Sequence, residues 1–422
     1  MRSFLDSAEG DVPKFDVAFI GTGIAGLYAA AFLVKAGKKV ILVDPRERAG
    51  GTAALQEKEG FRFIAGPNIG YGFEPGGPAH ALCAVLGLSA EEQAAASRFQ
   101  VALPDRRITV SPDVQETLSE LRREFPREID GLSQLYQETN RMARTASKSG
   151  LSLYVLRRRS ADAYLRARNF SRELTAYFDV QSRFFFGQDI RNLPLSLLVL
   201  LLTTPPRTFP NGLGTIADRM IAVIEDHKDS MRLREQWPEM TFRRRRITGM
   251  RTSQGSIEPR SFVVNAVWGT GEHTMFIALR QEVVPVGMEC TVISLPDYSQ
   301  PEETVALALS REGSSTAPSG MRTLTAAFYG QKLPNASPET RTERVRSIIP
   351  FLSDFIVMIH EQGENQGRYI LPKEISVTSV DPRNAARLPV PNSMNNLYLL
   401  PDSTRALHRS LEAGGRVANK LR

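Results

Sequence analysis

An α/β fold follows from three features of this chain: a Rossmann-like unit near its start, a helical and charge-rich middle, and a second mixed segment of strands and helix. The first feature is the most specific. Asp16–Ile20 reads DVAFI, a short buried strand of apolar, partly β-branched residues. Gly21-Thr22-Gly23-Ile24-Ala25-Gly26 follows at once, a G-x-G-x-x-G. Leu27–Ala36 is rich in alanine and other helix formers, Gly37 stops the helix, and Lys39–Val43 predicts a second strand ending at Asp44. This is the strand, turn, helix and strand setting that the motif needs. Gly21 permits the tight turn, Gly23 lets backbone approach a pyrophosphate, and Gly26 lets helix and strand pack closely. The helix N-terminus, with Ile24 and Ala25, offers unpaired N–H groups to phosphate. Asp44 comes ~20 residues on, where a carboxylate meets a ribose diol and repels a 2′-phosphate. The unit alone does not separate NAD from FAD.

Composition narrows the class further. Of 422 residues, 42% are hydrophobic and 23% charged, which excludes a largely disordered chain and a polytopic membrane protein. Cys83 and Cys290 cannot make a disulfide framework, and the five histidines are scattered without metal-ligand spacing. An organic cofactor is therefore expected, and no metal. Met1–Phe15 has no apolar signal-peptide core. The longest apolar run, Leu197–Leu202, is far below the ~18 residues of a spanning helix. A cytoplasmic protein is expected. Lys and Arg exceed Asp and Glu by 53 to 46, a net charge of +7. That balance permits attraction to phosphate, nucleic acid or an anionic membrane.

The residues after the acid carry a resemblance. In Asp44-Pro45-Arg46-Glu47-Arg48-Ala49-Gly50-Gly51-Thr52, a basic stretch and a glycine pair follow the carboxylate. Here the chain resembles the superfamily of flavin-containing amine oxidases and phytoene-desaturase-type enzymes. The resemblance implies a glutathione-reductase-type FAD-binding domain with a discontinuous α+β substrate domain. It implies FAD as cofactor, with Arg46 or Arg48 meeting the pyrophosphate. Gly60–Pro67 is similar to the family's segment beside the flavin, which adds Gly66 and Pro67 to the cofactor residues. Ala84–Leu88 reads as a helix end with a glycine cap.

The middle of the chain changes character. Thr117–Phe125, Ile129–Ser147, Ala161–Phe170 and Leu174–Phe186 have helical periodicity, with Arg157-Arg158-Arg159 between the second and third. Leu193–Leu202 is the most apolar stretch, and Phe184-Phe185-Phe186 stands near it. Both admit a buried helical core, the wall of an apolar tunnel, or a shallow membrane-docking surface. Gly212-Leu213-Gly214 opens a helix expected over Thr215–His227. Arg243–Thr252 and Ser256–Phe262 predict a hairpin, with Arg243-Arg244-Arg245-Arg246 alternating on a solvated edge. Arg260–Ala266 predicts a buried strand returning to the cofactor domain. Cys290–Leu295 and Arg322–Phe328 predict strands, 311–321 a mobile loop, and Pro338–Gly363 a long helical region with Ile348, Ile349, Leu352, Ile356 and Ile359 on one face.

Near the end, Asn396–Leu400 predicts a buried strand, followed by Pro401-Asp402 and a helix through Leu411-Glu412-Ala413-Gly414. The resemblance gives Asp402 a ribityl-binding role and brings His408, Arg409 and Leu411 to the flavin. The chain departs from the family at Pro401, where glycine is usual, and at His408 and Arg409. Arg409 either clashes with a flavin in the usual place or serves as the positive partner of a reduced one. The domain division expected is 1–95, 205–275 and 390–422 for the FAD-binding domain, and 96–204 with 276–389 for the substrate domain.

The function expected is an FAD-dependent oxidoreductase, desaturating or isomerising a small apolar organic substrate. A flavin amine oxidase and a divergent flavin-fold protein that binds a partner without turnover are the alternatives. The residues name no catalytic base; Glu74, His80, His273 and His360 are candidates only because they titrate or sit near the expected cofactor segments. Nucleic acid is not expected as a partner. An anionic membrane surface, a protein partner and a homodimer stay open.

Overall fold

In the computed structural model, residues 15–64, 68–87, 95–209, 212–265, 272–362, 369, 371–376, 392–400 and 407–422 are described. A parallel five-stranded sheet organises the cofactor end. Its strands run, edge to edge, Met231–Leu233, Val40–Asp44, Val17–Ile20, Ser261–Val264 and Leu397–Leu399. The three central strands are apolar along almost their whole length because both faces are covered. Helices Ile24–Lys35, Gly214–Glu225 and Leu407–Leu421 share this sheet's core.

A seven-stranded mixed sheet forms the other half. Its order is Ile356–Gln362, Glu272–Arg280, Met321–Tyr329, Thr304–Leu309, Thr291–Ser294, Phe99–Ala102 and Arg107–Val110. Every residue of Thr304–Leu309 is buried. One face meets a helical layer that contains Ile129–Ala146, Arg172–Phe186 and Leu195–Thr203. The other meets Val345, Ile348, Ile349 and Leu352. Asp113, Ser149, Ser160, Ser171 and Ser337 cap helices with their side-chain oxygens. Each such cap stabilises its helix by about 1 kcal/mol.

Several expectations change here. Pro338–Gly363 is not one helix. Pro338–Arg346 is helical, Leu352–Phe355 is a 3₁₀ turn, and Ile356–Gln362 is a strand. Phe351 sits at φ +62°, which no continuous helix allows. Ile356 and Ile359 pair with Leu279 and Ile277 across the sheet. The four arginines do not alternate along a strand: Arg243 ends one strand, Arg246 begins the next, and Arg244 turns the chain at φ +57°. All four are exposed, so the solvated reading holds through a different geometry. A third strand, Gly255–Ile257, completes that small sheet. The stretch 311–321 leads from one strand into the start of the next, and is held by the Arg62 N–H to the Thr316 carbonyl and the Gln281 N–H to the Gly320 carbonyl.

The apolar segment is a buried helix, Leu195–Thr203, with Leu195 and Leu198 fully covered. Phe184, Phe185 and Phe186 are buried as well. Neither offers a membrane-docking surface. Among the described residues no helix is long and apolar enough to cross a membrane.

Candidate dinucleotide site

The central strand Val17–Ile20 delivers the chain to Gly21, whose φ of +91° makes the tight turn. Gly23 is extended and caps the first helix without a side-chain bond. The first intrahelical bond runs from the Leu27 N–H to the Gly23 carbonyl. The Ile24, Ala25 and Gly26 N–H groups therefore open outward from the helix end. A Cβ on Gly26 would stand 3.2 Å from the Asn265 side chain, so glycine sets how closely the helix meets the returning strand. Asn265 is fully buried at the end of Ser261–Val264, and neither its Nδ2 nor its Oδ1 has a partner among the described residues. A buried amide left so is costly. Asn265 was not among the expected site residues; a polar residue closing the run Phe262-Val263-Val264 was its signal.

Asp44 is fully buried at the end of its strand. Its carboxylate accepts from the Thr22 N–H at 2.8 Å, the Thr22 hydroxyl at 2.7 Å, and the Arg46 N–H and Nε at 2.9 Å each. Arg46 adds an Nη2 bond at 3.0 Å, making the pair bidentate. Burial works to raise the Asp44 pKa, but the Arg46 guanidinium and the Thr22 hydroxyl outweigh it and hold the carboxyl below its ordinary range. The carboxylate thus organises the glycine turn from within. The second turn is tied in too: the Gly50 N–H donates to the Thr22 carbonyl at 3.1 Å. Gly50 and Gly51 both take positive φ, and Gly51–Ala53, through Thr52, forms a short 3₁₀ turn. Pro45 is half-buried between the strand and Arg46. Arg48 is exposed and pairs with Glu57 at 3.3 Å.

The last helix, Leu407–Leu421, completes the site from the far end of the sequence. A Cβ on Gly414 would lie 2.5 Å from the Ala25 carbonyl, and one on Gly415 3.0 Å from the Tyr28 ring. These glycines let the last helix cross the first in direct backbone contact. Leu411 is 1% exposed and packs in this core. At the helix start, Leu407 packs on Gly70. His408 lies 3.9 Å from Glu74 and edge-on to Phe186, at 6.2 Å between ring centres. Phe186 belongs with Tyr71 and Phe185 to one aromatic group. Burial lowers the His408 pKa against the pull of Glu74 and Glu412, and the nearby Arg157 charge pushes the same way as burial. Burial also lowers Arg409, against Glu412.

The structure thus brings Gly21, Gly23, Ile24, Ala25, Gly26, Asp44, Arg46, Gly50 and Gly51 together around Thr22. His408 stands with Glu74 at the start of the last helix, and Arg409 follows it in the field of Glu412. Gly66, Pro67, Pro401 and Asp402 lie outside the described residues. The titratable candidates separate. His80 is on the exposed side of its helix. His273 is buried 3.5 Å from Glu361, which Arg341 also binds. His360 lies 2.9 Å from Lys58 and stacks on Phe276. Both histidines belong to the seven-stranded sheet.

Residues 20–86 match the family profile described as an NAD(P)-binding Rossmann-like domain. A chloroplastic prolycopene isomerase of Daucus carota is 31% identical over 129 residues, 30% of this chain and 21% of that protein. A carotenoid 3,4-desaturase of Haloarcula japonica is 45% identical over 58 residues, 14% of this chain and 12% of that protein. The chain thus spans only a minor part of the length of these relatives. Among solved structures, cyclohexylamine oxidase from Brevibacterium oxydans aligns with a TM-score of 0.58 at 15% identity, covering 97% of this chain and 100% of that one. A Rab GDI from Plasmodium falciparum aligns with a TM-score of 0.63 at 12% identity, covering 96% and 98%. These last two likenesses describe the fold.

Proposed function

We propose that the chain is a member of the superfamily of flavin-containing amine oxidases and phytoene-desaturase-type oxidoreductases, and that it is an FAD-dependent oxidoreductase which desaturates or isomerises an apolar, isoprenoid- or lipid-like substrate. The observation that carries the cofactor reading is the open helix end. Three N–H groups from Ile24, Ala25 and Gly26 face outward beside the unpartnered Asn265 amide, and the Gly50–Gly51 turn is fastened to the same Thr22. Such an end takes the pyrophosphate of a dinucleotide.

When bound, the flavin supplies the hydride-accepting chemistry. The chain's own residues bind and orient. The glycine turn holds phosphate by backbone alone. Asp44 meets a ribose diol only when Arg46 turns away from it, and Arg46 is the partner with room to move, its side chain 25% exposed against 0% for Asp44. At the other end His408 is kept neutral and beside Tyr71, Phe185 and Phe186, which exclude water from that side. A buried aromatic cluster next to His408 supports an apolar substrate. The names of the two matched relatives, an isomerase of prolycopene and a desaturase of carotenoid, support the same substrate class.

Purified protein is expected to be yellow, or to become so on adding FAD, and to lose flavin on Gly23→Ala or Asp44→Ala substitution. Colourless protein that takes up no FAD overturns the reading. Peroxide release with amines but no reaction with polyenes would move it to the amine-oxidase branch. A second reading, a flavin-fold protein that binds a partner without turnover, draws on the full engagement of Asp44 by its own chain. Stable FAD binding with substrate-dependent flavin bleaching would exclude that alternative.

A further inference from the structure

Between residues 141 and 159 the chain carries Arg141, Arg144, Lys148, Arg157, Arg158 and Arg159 and no acidic residue. All six are exposed. They frame the short helix Gly150–Arg158, started by the Ser149 cap, in which only Leu156 is buried. Leu151, Tyr154 and Val155 stand at i, i+3 and i+4, so they share one face. That face points to water: Leu151 is 74% exposed, Tyr154 53% and Val155 45%. Beneath it, Met142 and Leu156 help to line a groove of about 610 Å³ between this helix and Ile129–Ala146. Clustered apolar side chains left in water mark an interaction surface.

The charges say which kind. Glu138, on the groove's edge, is already engaged by the Tyr164 hydroxyl and Arg168, and Asp162 is paired with Arg166. The patch is thus apolar at its tip and cationic around it. A second copy of the same patch would bring like charges face to face. Long basic side chains around an apolar tip suit a surface that is oily below and anionic above. The Arg158 guanidinium already lies 5.0 Å over the Tyr154 ring, an arrangement that holds an amphipathic ring beside a cation.

We propose that the Gly150–Arg158 helix docks the protein on an anionic lipid bilayer, with Leu151, Tyr154 and Val155 entering the interface and the six basic residues meeting headgroup phosphates. Arg157 acts electrostatically on His408, which sets the patch near the start of the last helix. An apolar substrate dissolved in the bilayer would then meet the protein on the side that carries the Tyr71–Phe186 wall. The docking function passes from Leu193–Leu202, which is buried, to this helix.

Bilayer binding needs no flavin. A colourless chain that floats therefore leaves this inference standing while removing the oxidoreductase reading, and the reverse holds for a yellow chain that does not float. The full chain is mixed with vesicles of phosphatidylcholine alone, or with phosphatidylserine added, and floated on a density gradient at low and at high salt. Flotation is expected with the anionic vesicles at low salt and should fall steeply as salt rises. The double variants Leu151→Ser with Val155→Ser, and Arg157→Glu with Arg158→Glu, should each reduce the floated fraction about ten-fold. Their far-ultraviolet circular dichroism should match the parent; Arg144→Glu with Lys148→Glu serves in place of any variant that unfolds. Absence of flotation on anionic vesicles at low salt, or flotation that folded variants leave unchanged, overturns the proposal. So does a dimer, or a complex with an acidic protein, that these substitutions dissolve in a chain that never floats.

Discussion

Asp44, fully buried, and His408, largely covered, both stand beside the same helix pair, and burial acts on them with opposite success. At Asp44 five donors lie within 3.0 Å, and they keep the carboxylate charged against desolvation. At His408 the Glu74 carboxylate is 3.9 Å away, and desolvation prevails. The comparison separates two kinds of order. The glycine-turn end is held in shape by its own side chains before any ligand arrives. The last-helix end holds its groups neutral, or at a desolvation cost that a hydrogen-bonding ligand would relieve.

The largest effect is expected where the two ends are joined. Gly414→Val would push a methyl-bearing Cβ into the Ala25 carbonyl, 2.5 Å away. A loss of about 3 kcal/mol in urea unfolding is expected; a loss below about 1 kcal/mol would mean that the helices are not in backbone contact. Next, Asp44→Ala leaves the buried Thr22 N–H unsatisfied and Arg46 uncompensated, and should cost about 2–3 kcal/mol in the same assay. Because its folded pKa lies below the ordinary 3.8, the stability Asp44 gives is present above pH 3.8. It is lost as the pH falls through the lower folded value, and the substitution should remove that acid limb from the parent curve.

Arg46→Ala sharpens the comparison from the ligand's side. It should lower unfolding free energy by about 1 kcal/mol. If Arg46 competes with ribose for Asp44, FAD retention in dialysis stays equal or improves; a fall in retention would show that Arg46 meets the dinucleotide directly. The smallest effect belongs to His408. Its folded pKa lies below 6.5, so the unfolded chain takes up the proton first and stability declines as the pH falls below 6.5. His408→Gln should flatten the melting temperature between pH 7.5 and the onset of the Asp44 limb. A curve unchanged by the substitution would put His408 among solvated groups.

The unequal legibility of the two ends has the same origin. The glycine turn could be read in Gly21–Gly26 and Asp44 because its contacts join neighbours along one strand, helix and strand. Even there, the sequence does not tell that Arg46 would turn back onto Asp44 rather than outward, since that choice depends on Thr22 and burial. In sequence Asn265 reads as strand and not as site, because its position beside Gly26 exists only after the sheet is assembled. The strand Ile356–Gln362 reads as helix in sequence for a related reason. Ile348, Ile349, Leu352, Ile356 and Ile359 fall at helical spacing, yet the pairing of the last two with Glu272–Arg280 is decided by a partner far away in sequence. The arginine run 243–246 was placed on the right surface by its charge and in the wrong geometry by its alternation.

The crossing of the last helix over the first has a consequence for how the protein is made. Ala25 leaves the ribosome almost the whole chain ahead of Gly414, and synthesis at roughly 5–20 residues per second separates them by tens of seconds. During that interval the first helix has Ala25 and Tyr28 prepared for a partner that has not been translated. The parallel sheet likewise waits for Leu397–Leu399 on its outer edge. The nascent chain must therefore shelter an apolar helix face and an open strand edge until Leu397–Leu421 emerges. Truncation before the Leu407–Leu421 helix would present that face to chaperones and proteases, and low abundance would follow before any defect in chemistry.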